Sequence, residues 1–428
     1  MEDVLNKALG LYMPTFLKMH IETKGSLENL GNINERDSSI FAHEYIHFLQ
    51  DISTYYGLAN LCIVVDYVKY CCHQVIQNQA PTFNIPIFPI SGDTFYTDKN
   101  LALKKVYTGS IATLDHNFSQ LKSVSITDSG IHHPDTPLKK IQTVTLNIDG
   151  VERFYGSHCI QESMAYISEK YLAPEQIKSH AFPYQSSENV TQFIYPMFGN
   201  NRLNILALCD CSLFTDNPGL NFVIALHRMK EEAWLPNSPR DVYDYCDKIF
   251  LTARSLLETY EKILPLARDQ ISDYFTNENW KAIKNWSVHV LDEAYNIRKS
   301  NKYFILELMY DGKINTNSKF ISLVNKLGYP LITNESHEMY FGIPSGFKDK
   351  IKNMDALWAI YQCYRIFTGK KDGCQMKLYC QASCKYSGSA DITDARCDSN
   401  PWDRTSDDKL CPFAQVWRGW GLQGKSPA

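Results

Sequence analysis

Residues 41–51 read FAHEYIHFLQD. Two histidines stand four apart, and a glutamate directly follows the first. On a helix, such residues lie one above the other on a single face. His43 and His47 can therefore present two imidazole nitrogens to one cation. The surrounding pattern is helical: Ile40, Ile46 and Leu49 recur with the histidines at spacings of three and four. Asp37, Ser38 and Ser39 are the expected N-cap candidates. The helix is expected to reach Tyr56, where Gly57 interrupts it, and a second helix to reach Gln77.

Glu44 gives the pattern its chemical sense. Beside the first histidine it can hold a water on the metal without itself being a ligand. Zinc lowers the pKa of such a water to about 7, and a carboxylate can take its proton during attack on a carbonyl. A chance HExxH is expected in about 1–2% of chains of this length and histidine content. The plain alternative is two helix histidines packed or solvated separately. The capped, apolar-periodic helix around the motif weighs against it.

A third ligand must come from elsewhere. The extended motif HExxHxxGxxH is absent, because Gln50 and Ser53 stand at its Gly and His positions. The segment SHCIQESMAYISEKYL, residues 157–172, reads as a helix capped by Ser157, and Glu162 on it is the favoured third ligand. Small Ala165, one turn on, allows close packing against the motif helix. Glu169, two turns on, and His158, one turn before, are the nearest rivals. His132 and His133, in a turn-rich loop, are more remote ones. Glu169 or Asp51 could orient a ligand histidine.

In HEYIH and QESMAYISE the chain resembles the gluzincin metallopeptidases, whose third ligand is a glutamate on such a later helix. Gln161 and Tyr166 depart from the Asn and Asp of the thermolysin-like pattern NExxSD. The resemblance implies a zincin-like catalytic core, a catalytic Zn2+ on His43, His47 and Glu162, Glu44 as general base, and a peptide or protein substrate. The gap of 115 positions from His47 to Glu162 implies large insertions. A peptidase also needs a donor for the developing oxyanion. His337 and Tyr340 in ESHEMYFGIPSG, with Tyr155 and Tyr166, are the candidates. In a chain with 26 tyrosines, packing or surface exposure is the plain reading of any single one.

Outward from the motif, IQTVTLNIDGVERFY (141–155) carries the best hairpin signal, two β-rich runs around Asp149-Gly150. Its exposed edge could hold an extended peptide. Residues 78–140 are dense in turn formers and read as irregular. Residues 200–310 read as mainly helical, including a helix over Asp241–Leu264. The fold class expected is α+β, predominantly helical.

Five of the 13 cysteines crowd into 38 residues near the C-terminus, spaced C-x5-C-x3-C-x12-C-x13-C. This places a boundary between a metallopeptidase region, 1–365, and a cysteine-rich segment, 366–428. The second piece is too short for much core, so a metal clip would supply its order. Cys380, Cys384, Cys397 and Cys411 are the expected ligands of a second Zn2+, with Cys374 in reserve. An iron–sulfur cluster is the alternative, kept open by Cys411-Pro412. Free or disulfide-forming thiols are the weaker reading. Trp402, Trp417 and Trp420 either pack this segment on the rest or bind a partner. Gly419–Gly424 spells GxGxxG, but no strand precedes it and no dinucleotide site is expected.

The whole chain is ordinary in balance: 428 residues, 44% hydrophobic, 21% charged, net charge −4. That charge gives no reason to expect a nucleic-acid or membrane partner. The N-terminal stretch lacks the charged-then-apolar order of a secretory signal, so a cytoplasmic protein is expected. A zinc endopeptidase is the leading reading. A zinc hydrolase of a non-peptide amide or ester, or a non-enzymatic metal-stabilised interaction protein, are the alternatives. Glu44 argues against the last, since a purely structural site has no use for a base.

Overall fold

The computed structural model describes residues 9–28, 33–90, 97–112, 121–132, 140–173, 180–250 and 255–428. The fold is mixed α+β with helices predominating, as expected. Among the described residues, no helix is long and apolar enough to cross a membrane.

The motif lies on helix Glu35–Ser53. Its N-cap is Asn34, not the expected Asp37, Ser38 or Ser39: the Asn34 side chain accepts the Asp37 N–H at 2.8 Å. Asp37, one turn in, accepts from Thr23 Oγ1 at 2.7 Å. Every residue of this helix except Glu35, Arg36 and His47 is buried. A helix enclosed on all sides must partner its polar groups internally, and these partners form the site. The helix ends at Ser53, earlier than expected. Thr54 is extended and serves both helices: its Oγ1 donates to Gln50 O at 2.6 Å and accepts the Gly57 N–H at 3.1 Å. Gly57 belongs to the next helix, Tyr55–Gln77, where a Cβ would lie 2.2 Å from Asp51 O. Glycine is required there by the close approach of the two helix ends, not as a helix stop.

A four-stranded sheet lies beside the motif helix. Gly10–Met13 forms one edge and pairs antiparallel with Lys18–Ile21. Lys18–Ile21 runs parallel to Tyr329–Asn334, which pairs antiparallel with Met339–Gly342 at the other edge. Gly10 touches the motif: a Cβ there would meet Glu44 Oε1 and Ile40 Cγ2 at 2.5 Å.

The expected hairpin is present as Lys140–Ile148 and Val151–Tyr155. Asp149 and Gly150 both have positive φ, 52° and 89°, as a type I′ turn demands. Residues 78–140, expected to be irregular, instead contain helix Thr97–Thr108 and a third strand, Leu121–His132, paired with Lys140–Ile148. That strand is mostly exposed and polar, so it lacks the alternation by which half-buried strands are recognised. The hairpin's outer edge is covered near its end: Ser110 N–H donates to Phe154 O at 3.0 Å, and Phe154 N–H to Ser110 Oγ at 2.9 Å. This removes part of the edge on which a peptide was expected.

Helix Ser157–Leu172 has the expected bounds. Gly156 is its N-cap, and Ser157 Oγ, instead of capping, donates to Tyr56 OH at 2.7 Å. This helix packs against the motif helix, and the small residue Ala165 on it is fully buried. The region 200–310 is helical as expected, but the expected helix over Asp241–Leu264 is two, Pro239–Ile249 and Leu256–Asp273, each with a capping box. Arg298, on helix Lys281–Ser300, meets Asp210 through both terminal nitrogens at 2.7 and 3.0 Å and reaches Ser53 Oγ at 3.1 Å. This fully buried pair anchors the C-terminal end of the motif helix.

The boundary expected at residue 366 falls inside helix Ala356–Phe367. The residues beyond it join the same hydrophobic core as the rest. Trp417 stacks with Phe83 and Phe367, Trp420 Nε1 donates to Tyr274 O at 3.1 Å, and Trp402 is buried. Ser426–Pro427 pairs with Thr82–Phe83. The tryptophans therefore pack the segment onto the chain.

Candidate metal centre

His43 and His47 lie one turn apart on the motif helix, with ring centroids 5.0 Å from each other. Glu162, from helix Ser157–Leu172, meets both. Its Oε2 is 3.3 Å from His43 Nε2 and 3.4 Å from His47 Nε2. One ligand atom from each of these three residues lies within 4.8 Å of the others. The far nitrogen of each imidazole is also held. Glu169 Oε2 is 3.2 Å from His43 Nδ1, and Ser39 Oγ donates to Glu169 Oε1 at 2.8 Å. Gln50 Oε1 is 2.9 Å from His47 Nδ1, and Gln50 Nε2 donates to Gln161 O at 3.0 Å. Acceptors on both Nδ1 atoms leave both Nε2 atoms turned toward Glu162, which is how ligand histidines are oriented. The donor set, two imidazole nitrogens and one carboxylate oxygen, suits zinc.

The electrostatics follow from enclosure. Burial pulls the His43 pKa down, but Glu162 and Glu169 outweigh it and hold the pKa well above the usual histidine value. His47 is raised in the same way, mainly by Glu162. Burial raises Glu162, but His47 and His43 outweigh it and hold the carboxyl well below the usual range. Burial pushes Glu44 up to about 7, against the opposing pull of His43 and His47. A carboxylate so placed can exchange protons near neutrality.

Glu169, a rival for third ligand, orients His43 instead. His158, the other, has its Nδ1 3.7 Å from Glu162 Oε1, on the side away from the histidines' shared oxygen. Asp51, weighed as an orienting group, serves the sheet: it accepts from Tyr12 OH at 3.0 Å and Thr15 N–H at 2.7 Å. His132 sits on the exposed strand opposite Lys140, and His133 lies outside the described residues.

Each expected oxyanion donor has a contact outside the histidine–glutamate cluster. Tyr166 OH accepts from Gln185 Nε2 at 3.4 Å, with Lys170 over its ring. Tyr155 OH pairs with Ser187 Oγ. His337 packs on Tyr379, and Tyr340 bonds Glu338 and Ser26, beside the sheet edge opposite Gly10–Met13. Tyr184 stands beside the centre, with its ring 5.7 Å from that of His43 and 6.4 Å from that of Tyr166. Its hydroxyl is held above its usual pKa by the charge of Glu162, then by burial and Glu44. Nothing in AFPYQSS marks it in the sequence. Gln50 was legible in principle, being one turn from His47 on the same helix.

Of the tail cysteines, Cys374, Cys380, Cys397 and Cys411 line one small cavity. Cys384, placed in the ligand set from the sequence, is not among the lining residues, and the reserve Cys374 takes its place. All 13 cysteines are free thiols.

The orienting role of Glu169 can be measured. Glu169→Ala is expected to weaken zinc binding by about 10–100-fold, read by competition with a chromophoric chelator. Unchanged affinity would mean that the contact to His43 does not hold the ring.

No protein-family model matches the chain, and no curated protein or solved structure is significantly similar to it.

Proposed function

We propose that the chain is a zinc-dependent endopeptidase of gluzincin type with a zincin-like core. The observation that carries this is the convergence of His43 Nε2, His47 Nε2 and a Glu162 oxygen on one point, with Glu44 one residue from a ligand. Zinc, when bound, supplies a Lewis acid that acidifies water and polarises a carbonyl. The chain's own residues do the rest. His43, His47 and Glu162 hold the cation, while Glu169 and Gln50 fix the ring planes. Glu44 takes the proton of the attacking water and delivers it to the leaving amine. Tyr184, whose ring lies 5.7 Å from that of His43, would donate its hydroxyl hydrogen to the oxyanion that develops.

A peptide substrate is favoured by the edge strand Gly10–Met13, which lies directly against Glu44. An extended chain adding to that edge would bring its backbone, not a particular side chain, to the centre.

The test is metal dependence of peptide hydrolysis. Purified protein is dialysed against 1,10-phenanthroline, then incubated with a mixed peptide library read by mass spectrometry. Cleavage is expected to vanish on chelation and return with about one equivalent of Zn2+. Cleavage that survives full removal of the metal would refute the proposal, as would a zinc-loaded protein that cleaves esters or small amides but no peptide.

A further inference from the structure

The tail thiols form a second cluster. Cys374 precedes helix Lys377–Ser387, and Cys380 lies in its first turn. Cys397 is in the short helix Arg396–Ser399, and Cys411 is the N-cap of helix Pro412–Gly419. These pieces of chain bring four cysteines to the wall of a single cavity. Cys374 N–H donates to Cys397 O at 2.7 Å, which fixes two of the pieces together. Helix Lys377–Ser387 buries only Cys384, so packing alone gives it little order.

Donors are aimed at three of the four sulfurs. Arg404, only 4% exposed, places Nη1 3.1 Å from Cys397 Sγ. Ala414 N–H points at Cys411 Sγ from 3.5 Å, and Phe413 N–H faces the same sulfur. Met376 N–H faces the sulfur of Cys374. In both backbone cases the donor belongs to a residue two or three positions after the cysteine, so a turn wraps each sulfur. A neutral thiol is a weak acceptor, whereas a ligating thiolate is a strong one, held by just such outer hydrogen bonds. Four thiolates around one divalent ion carry a net charge of about −2. The Arg404 guanidinium and the ammonium of Lys377, which also lines the cavity, offset that charge.

The size of the cavity selects what it takes. It measures about 10 Å³, room for one water-sized sphere and far too little for an iron–sulfur cube. Four sulfurs touching such a sphere stand about 3.2 Å from its centre and about 5.2 Å from each other. Among the described residues no three of these sulfurs lie within 4.8 Å of one another, which agrees with that spacing. On tetrahedral zinc the two distances are about 2.3 and 3.8 Å, so binding draws each sulfur inward by about 1 Å. The sparsely buried helix Lys377–Ser387 is the piece free to make that step. We propose that Cys374, Cys380, Cys397 and Cys411 bind a single structural Zn2+, with Arg404 donating to the Cys397 sulfur. The ion clasps the tail beside the four-stranded sheet, where Tyr379 OH donates to Asn334 O at 3.0 Å.

The test uses the full chain with its zinc replaced by Co2+. Thiolate ligands give cobalt a strong sulfur-to-metal charge-transfer absorption, which the histidine–glutamate centre cannot produce. The band is expected in the unaltered chain and in Cys384→Ala, and it should be lost in Cys397→Ala. Glu162→Ala, aimed at the other centre, should keep it, so failure of the catalytic reading leaves this result unchanged. If Cys397→Ala does not fold, the unaltered zinc protein is titrated with p-hydroxymercuribenzoate, and about one zinc per chain should be released to a chromophoric chelator. The proposal is overturned if the cobalt protein lacks the band and the mercurial releases no zinc. It is equally overturned if the tail as purified holds iron with acid-labile sulfide, or if Cys384→Ala loses the band while Cys397→Ala retains it.

Discussion

Glu44→Gln is expected to leave zinc bound and to lower hydrolysis by about 10²–10⁴-fold, the usual cost of removing a general base. Glu44 is buried, 5% exposed, between the motif helix and Gly10 of the edge strand. Burial raises its pKa to about 7, and the neighbouring imidazoles restrain the rise. The group can therefore accept a proton near neutrality and release it again. Glutamine fills the same space beneath Gly10 but cannot take up the proton. His43, His47 and Glu162 are untouched, so metal content should equal that of the unaltered protein. Zinc analysis and turnover on a cleaved peptide, measured on the same preparation, separate the two effects. Full turnover with the metal in place would exclude Glu44 as the base. Loss of metal with loss of activity would mean that Glu44 is needed for the site to form.

What could be read from the sequence was what local chemistry dictates. The histidine pair, the hairpin at Asp149-Gly150 and the bounds of helix Ser157–Leu172 each depend on residues within one or two turns of each other. The readings that failed depended on contacts between distant segments. Asp37, Ser38 and Ser39 look like caps, but Ser38 and Ser39 are buried inside the helix, and Ser39 serves Glu169 from another element. Tyr184, from the loop after the ligand helix, stands beside His43 with no signal in its local sequence, because its place depends on that loop folding back over the helix. The exposed strand Leu121–His132 was invisible because solvent, not a core, faces most of its side chains. Among the cysteines, composition marked the segment, but only the packing of four short pieces distinguishes Cys374 from Cys384.

Glu162→Ala is expected to remove zinc binding and hydrolysis together, with the fold kept. Its Oε2 lies within 3.4 Å of both Nε2 atoms. Two imidazoles alone leave a catalytic zinc without the third protein ligand such sites use. The carboxylate also supplies the negative charge that burial would otherwise oppose, as its strongly lowered pKa beside His47 and His43 indicates. The affinity loss should exceed the about 10–100-fold expected for Glu169→Ala, which only orients a ring. The helix itself should persist, because Gln50 still bonds Gln161 O and Glu169 still bonds Ser39 and His43, neither contact passing through Glu162. Zinc occupancy and thermal melting of the Glu162→Ala, Glu169→Ala and His158→Ala proteins decide the matter. His158 lies on the other oxygen of Glu162, so His158→Ala should keep the metal. If His158→Ala loses zinc while Glu162→Ala retains it, the third ligand is one turn away on the same helix and Glu162 is its partner.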